Sequence, residues 1–301
     1  MTMQFDGRVA VITGSGSGLG RAHALLLASR GARIVVNDLS RSADTGESYA
    51  QRVVDEIVAA GGVAVADTNS VATPEGGAAI IQQAVDSFGT VDILVNNAGI
   101  VRDKSFAKMT AEQVDPVLDV HLGGAFNVTL PAYRLMKEQN HGRIISTTSA
   151  AGLFGNFGQA NYGAAKMGLI GLSRVIALES AKYDITANII APIAATAMSA
   201  GILDEEWERR LRPDLVSPVV AYLAHSDCTV SGEIFSVAAG RVARIFIGEG
   251  RGFYSPDLTI EDVRDSWSTI LSEEGYSVPM SAADERDLLE KSFTAFENPT
   301  S

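Results

Sequence analysis

The chain is poor in the residues that build disulfides and metal centres. Its one cysteine, Cys228, cannot close an intramolecular bridge, and its four histidines, His23, His121, His141 and His225, lack the spacing of zinc ligands. Neither a disulfide scaffold nor a metal site is expected, and the single thiol points to a reducing compartment. Positive charge is also scarce: 24 Lys and Arg against 36 Asp and Glu leave a net charge of -12, and no basic stretch offers a nucleic acid a footprint. No run of about eighteen apolar residues occurs, so no membrane partner is expected. The first residues, Met1 to Arg8, hold no apolar signal core, and the last, Asn298 to Ser301, form no targeting tripeptide. The location these absences predict is cytoplasmic.

What remains is ordinary for a folded chain. Of 301 residues, 46% are hydrophobic and 20% charged, enough for one large α/β domain or two smaller ones. Arg8 to Ile12 is a short β-branched run, and Thr13-Gly-Ser-Gly-Ser-Gly-Leu-Gly20 follows it directly, ahead of a helical pattern from Arg21 to Arg30. Strand, glycine turn and helix in that order let backbone N–H groups at a helix N-terminus face a pyrophosphate. Gly14, Ser17, Gly18, Leu19 and Gly20 are therefore candidate cofactor contacts. The next strand, Arg33 to Asn37, ends in Asp38, about 20 residues after the turn, where a carboxylate accepts hydrogen bonds from ribose hydroxyls and repels a 2′-phosphate. That favours NAD over NADP, for which Arg41 is the only nearby argument.

Strands and helices continue to alternate. Helices are expected over 43–60, 74–88 and 111–136, and strands over 63–66, 91–95, 142–148, 184–190 and 233–237, which predicts a doubly wound, Rossmann-type parallel sheet with helices on both faces. Ser70 and Val71, after the third strand, and Asn97, Ala98 and Gly99, after the fourth, fall at the carboxyl edge where ligands bind in such sheets. A loop rich in small residues runs from Ile193 to Ala200, followed by an amphipathic stretch from Leu203 to Leu211 that reads as a lid. Residues 1–240 form the expected catalytic domain. Residues 241–301 are expected to be an extension with short strands at 241–248 and 251–254 and helices at 259–271 and 281–296, packed on the core or on a neighbouring subunit.

The chemistry is concentrated between Ser149 and Lys166. Tyr162 and Lys166 are four residues apart in a helical run, so both side chains leave one face and the cation lies beside the phenol. An adjacent ammonium favours the phenolate, which would let Tyr162 exchange a proton with an alcohol or carbonyl, while Ser149 supplies a hydrogen bond across the glycine-rich segment between them. Alone, a Tyr-x-x-x-Lys pair is more often a surface feature; the nucleotide-binding signals around it decide for catalysis.

In this order, Thr13-Gly14-x-x-x-Gly18-x-Gly20, Asn96-Asn97-Ala98-Gly99, Ser149 and Tyr162-x-x-x-Lys166 resemble the short-chain dehydrogenase/reductase family over roughly residues 5–240. His141 to Tyr162, Val36-Asn-Asp-Leu and Ala98 to Phe106 resemble more narrowly the (3R)-hydroxyacyl-CoA dehydrogenase unit of multifunctional β-oxidation enzymes. The resemblance implies that Tyr162 is the acid/base, that Lys166 binds ribose and tunes Tyr162, and that Ser149 holds the reacting oxygen. It further implies a C-terminal extension that serves the dimer and the substrate cleft. Two positions depart from the family: His121 replaces the usual asparagine, and Pro192-Ile193 replaces Pro-Gly, leaving Ala195 and Thr196 as candidates to contact the nicotinamide. The expected substrate is an acyl-CoA, with Arg102, Lys104, Lys108, Arg209, Arg210 and Arg212 as cations for its anionic tail. A hydroxysteroid-like alcohol and a non-catalytic NAD-binding scaffold are the alternatives, and a homodimer or homotetramer is the expected assembly.

Overall fold

The computed structural model describes residues 2–196 and 204–297. Seven segments form strands that run parallel where paired, fully or largely buried in the middle of the sheet and less covered in β3 and β7: β1 (Val9–Thr13), β2 (Arg33–Asn37), β3 (Val63–Asp67), β4 (Ile93–Asn96), β5 (His141–Thr147), β6 (Asp184–Ile193) and β7 (Ile234–Ala238). All five residues of β1 are buried, as both faces of a helix-covered parallel sheet require. With β8 (Arg241–Ile245) at the edge, the order is β3-β2-β1-β4-β5-β6-β7-β8. The chain reverses its winding between β1 and β4, and this switch point opens a crevice at the carboxyl ends of the strands.

The helices owe their faces and ends to particular residues. In α1 (Gly18–Ser29), His23, Ala24, Leu27 and Ala28 are buried against one side of the sheet. In α2 (Tyr49–Ala59), Ala50, Val53, Val54 and Ile57 form the i, i+3, i+4, i+7 stripe of a half-buried helix, and Ser48 caps its start by accepting from Gln51 N. In α3 (Pro74–Phe88), Thr73 accepts from Gly76 N, Pro74 opens the helix, and Gly89, at φ 86°, closes it. Then come α4 (Ala111–Leu118), α5 (Gly124–Glu138), α6 (Ala150–Phe154), α7 (Ala160–Glu179), α8 (Glu205–Arg210) and α9 (Ser217–Ala224).

The single helix expected over 111–136 is in fact interrupted. A π-helical turn at Asp119–Gly123 separates α4 from α5 and places the His121 ring inside the protein. The loop expected from Ile193 and the start of the expected lid include residues 197–203, outside the described residues. Of the remainder, only Glu205–Arg210 is helical.

The chain divides into two compact units, Met1–Arg244 and Ile245–Ser301. The second unit contains α10 (Ile260–Asp265), α11 (Trp267–Ile270) and α12 (Ala282–Glu297). The strand expected at 251–254 does not form: Gly250 and Gly252, the latter at φ 65°, break the extended run, and a lone bridge joins Glu249 to Ser277.

At the switch point Thr13 and Asn97 clamp β1 to β4. The Thr13 hydroxyl accepts from Asn97 N (3.0 Å) and Ala98 N (3.1 Å), and Asn97 Nδ2 donates to Thr13 O and Gly14 O, both at 2.9 Å. Asn97→Ala is expected to lower the unfolding free energy by about 1–3 kcal/mol, read from urea titration, because two carbonyls at the turn lose their donor.

Candidate active site

The glycine turn is shaped by what surrounds it. A Cβ on Gly16 would lie 2.7 Å from Tyr49 Cβ and 2.9 Å from the Asp38 carboxylate, and one on Gly20 would run into Gly14 O. Gly14 and Gly18 have φ of 63° and 53°, the left-handed region that favours glycine. Ser17 stands at the N-cap of α1 without a side-chain capping bond, so the first-turn N–H groups, Leu19 and Gly20 included, are not satisfied by it. Asp38 holds the turn from outside: Oδ2 accepts from Gly16 N at 2.9 Å and Oδ1 from Ser40 N at 2.8 Å. Gly18 lies under Thr196, whose Cγ2 would be 3.4 Å from an added Cβ, while Ala195 N donates to Leu211 O at 2.7 Å. Ser70 Oγ accepts from Ala72 N, and Val71 O accepts from Asn127 Nδ2. These residues surround a cradle whose first-turn donors are not capped by the Ser17 side chain and whose rim carries a carboxylate, which fits the diphosphate and ribose of a nicotinamide dinucleotide.

Ser149, Tyr162 and Lys166 converge beside this cradle. Ser149 follows β5 and caps α6, Tyr162 and Lys166 project from α7, and Lys166 Nζ stands over the Tyr162 ring, 5.5 Å from its centroid. Tyr162 is hydrogen-bonded to Ser149. Lys166 is buried; its Nζ donates to Thr147 O at 2.6 Å, and Thr148 Oγ1 donates to Lys166 O at 2.6 Å, so the end of β5 grips the lysine twice.

The expected downward pull of Lys166 on the phenol is not what this geometry produces. Burial pushes Tyr162 above its ordinary value, the Ser149 hydrogen bond partly offsets this, and the Asp103 carboxylate adds to the rise. Burial also lowers Lys166 to about 7, because an ammonium away from water is disfavoured. Burial is the largest cause of both shifts.

His121 completes the floor. Its ring meets the Tyr162 ring edge-to-face at 5.0 Å, Nε2 lies 2.8 Å from Ile100 O, and Nδ1 has no hydrogen-bond partner. A Cβ on Gly99 would collide with this ring, so glycine there and histidine at 121 are coupled choices. Burial first, and Lys166 second, lower His121 to about 3, so it is neutral near pH 7 and adds no charge to the site. A cavity of about 10 Å³ reaches from Thr13 and Asn96 to His121 and Lys166.

Sequence reasoning missed Asn161, which orders the loop facing the site. It is buried, its Nδ2 donates to Arg102 O and Gln113 O, and its Oδ1 accepts from Tyr162 N at 2.8 Å. An amide at the start of a helix was the available signal. Arg102, Lys104 and Lys108 are exposed on that loop, which is stitched to the entry of α7 by Lys104 N donating to Gly158 O. Arg210 and Arg212, by contrast, pair with Glu206 and Asp214 and so are partly neutralised as an anion site, while Arg209 Nε donates to the Glu205 backbone carbonyl.

The chain belongs to the short-chain dehydrogenase family, whose model matches residues 8–207. It is 47% identical over 288 residues to peroxisomal multifunctional enzyme A of Dictyostelium discoideum, covering 94% of this chain and 64% of that protein. It is 48% identical over 276 residues to a putative short-chain type dehydrogenase/reductase of Mycobacterium tuberculosis, covering 90% and 96%. The full-length peroxisomal multifunctional enzyme type 2 of Drosophila melanogaster superposes with a TM-score of 0.83 at 42% identity, over 97% of this chain and 51% of that one. The chain thus spans 64% and 51% of the length of these two multifunctional proteins.

Those names correct one expectation. The cytoplasmic location does not stand against relatives called peroxisomal. A lone thiol and the lack of an apolar signal describe any reducing aqueous compartment and do not separate the cytosol from an organelle's interior. Among the described residues, no helix is long and apolar enough to cross a membrane, and no group of three or more His, Cys, Asp or Glu could hold a metal.

Lys166 gives the site a pH signature. Between pH of about 7 and its ordinary 10.5, the unfolded chain holds a proton that the folded chain has released, so stability rises with pH across that window. Lys166→Met is expected to flatten this rise, measured as the difference in urea midpoint between wild type and variant at about pH 7 and about pH 9.

Proposed function

We propose that the protein oxidises the secondary alcohol of a (3R)-3-hydroxyacyl-CoA to the 3-ketoacyl-CoA, with NAD as acceptor. The observation that carries the reading is the convergence of Ser149, Tyr162 and Lys166 beside a glycine cradle whose helix start has no capping bond from the Ser17 side chain. The similarity to multifunctional β-oxidation enzymes supports the acyl-CoA as substrate.

Several features support NAD over NADP. The Asp38 carboxylate borders the cradle and would repel a 2′-phosphate, while Arg41 Nη1 is already turned to Gly46 O at 3.2 Å. Gly14, Gly18, Gly20, Asp38, Asn97, Ala98 and Gly99 line the dinucleotide path, with Ser70 and Val71 toward the adenine and Ala195 and Thr196 toward the nicotinamide.

The bound nicotinamide supplies the acceptor for hydride from the carbinol carbon. The residues of this chain do the rest. Ser149 orients the substrate hydroxyl, Tyr162 takes its proton, and Lys166 holds a ribose and supports the phenolate as it forms. Burial of Tyr162 makes its deprotonated form scarce at neutral pH, so alcohol oxidation is expected to speed up toward alkaline pH and carbonyl reduction to slow. Tyr162→Phe is expected to cost about a hundredfold or more in kcat, read from dinucleotide absorbance.

The exposed cations Arg102, Lys104 and Lys108 lie on the loop beside the site and suit the phosphates of an acyl-CoA tail in a chain of net charge -12. A steroid alcohol offers them nothing. The assay that separates the readings measures NAD⁺ reduction with 3-hydroxyacyl-CoA esters of both configurations beside free sterols, using wild type and Lys104→Glu. A raised KM for the CoA ester alone in the variant supports the acyl-CoA reading. Equal turnover of sterols by both proteins favours a hydroxysteroid dehydrogenase, and dinucleotide binding without turnover of any alcohol favours a scaffold.

The assembly belongs to the same reading. Phe126 and Leu130 on α5, and Met167, Val175 and Leu178 on α7, are exposed apolar side chains at helical spacing, which suits a homodimer or homotetramer. The extension, proposed to begin at residue 241, also exposes Leu258, Ile260, Trp267 and Leu271. Light scattering is expected to give two or four times the mass of one chain.

A further inference from the structure

One buried polar pair lies outside the reacting centre. His23, on α1 one turn beyond the glycine cradle, places Nδ1 2.8 Å from the hydroxyl of Ser217, the first residue of α9. Both side chains are buried, and His23 Nε2 has no partner. An apolar residue would fill this position without leaving a ring nitrogen unsatisfied, so packing alone does not account for the imidazole.

The position of the pair along the chain gives it a use. The segment that leaves β6 begins with Ala194 to Thr196, and Thr196 lies against Gly18 at the first residue of α1. The segment ends at Ser217, bonded to His23 five residues further along the same helix. Its two ends therefore bracket the opening turns of α1, the turns whose N–H groups the cradle presents. A second tie runs within the segment, where Ala195 N donates to the carbonyl of buried Leu211 at 2.7 Å. Val216 and Val220 pack with Ala24 and Leu27 of α1 in one buried cluster, and Ala194 packs against it.

We propose that His23 is a positioning residue for dinucleotide binding: through Ser217 it fixes the stretch from Leu211 to Ser217, and the Ala195 bond to Leu211 in turn holds Thr196 against the glycine turn. This rests on the dinucleotide reading of that turn. His23 touches no substrate and takes no part in proton transfer. Burial lowers its pKa to about 3, so the ring is neutral at assay pH and the bond is insensitive to pH there.

The test uses Ser217→Ala, His23→Phe, and His23→Asn, whose amide can take the place of Nδ1. Binding of NAD⁺ is measured by calorimetry, and steady-state KM is measured for both substrates. Trypsin cleavage of the dinucleotide-free protein at the exposed Arg209, Arg210 and Arg212 reports the segment directly. Expected for Ser217→Ala and His23→Phe are a roughly three- to tenfold weaker Kd for NAD⁺, an unchanged KM for the alcohol, and faster cleavage in the segment. His23→Asn restores both, and the double variant Ser217→Ala with His23→Phe is no worse than either alone. If His23→Phe fails to fold, Ser217→Ala carries the same comparison. Unchanged affinity and cleavage in folded variants overturn the positioning role while leaving the dinucleotide reading intact. A wild-type protein that binds no NAD⁺ overturns both. An equal rise in both KM values, with unchanged cleavage, reduces the pair to packing and also overturns the proposal.

Discussion

The structure depends on a clamp between two strands that part company in the winding order. β1 and β4 are neighbours in the sheet although three helices and two strands separate them in the chain, and beyond their carboxyl ends the ladder no longer holds them together. Thr13 and Asn97 do so, by exchanging hydrogen bonds between side chain and backbone in both directions. Once these ends are held, the glycine turn has a fixed origin and Gly99 has a fixed place against His121. A crevice with converging donors is the geometric result.

Dryness is the second theme. Lys166 and His121 both lie against the Tyr162 ring, and burial is the largest influence on each of the three, moving all of them toward their neutral forms. A charged lysine is costly there unless something compensates it. The Thr147 carbonyl does part of this, and a bound ribose would add acceptors.

Much of this was legible from residue order. The alternation of apolar runs with amphipathic segments sets the doubly wound sheet, since each strand buried on both faces reads as a continuous hydrophobic run. Glycines at 14, 18 and 20, the carboxylate at 38 and the Tyr-x-x-x-Lys spacing mark the candidate site because each is a local requirement of backbone or helix geometry. The π-helical turn at Asp119–Gly123 was not legible, because an added residue in one turn leaves the composition of a helix unchanged. Neither was the role of Asn161, whose partners Arg102 and Gln113 lie far from it in sequence.

The sequence by itself determined which side chains could do chemistry and where the backbone had to be glycine, since both follow from residue type and from spacings of a few residues. Only the tertiary structure decided their charge states and partners. Those depend on desolvation and on contacts such as His23 with Ser217 or Lys166 with Thr147, which join residues distant in the chain and exist only once the sheet has brought the segments together.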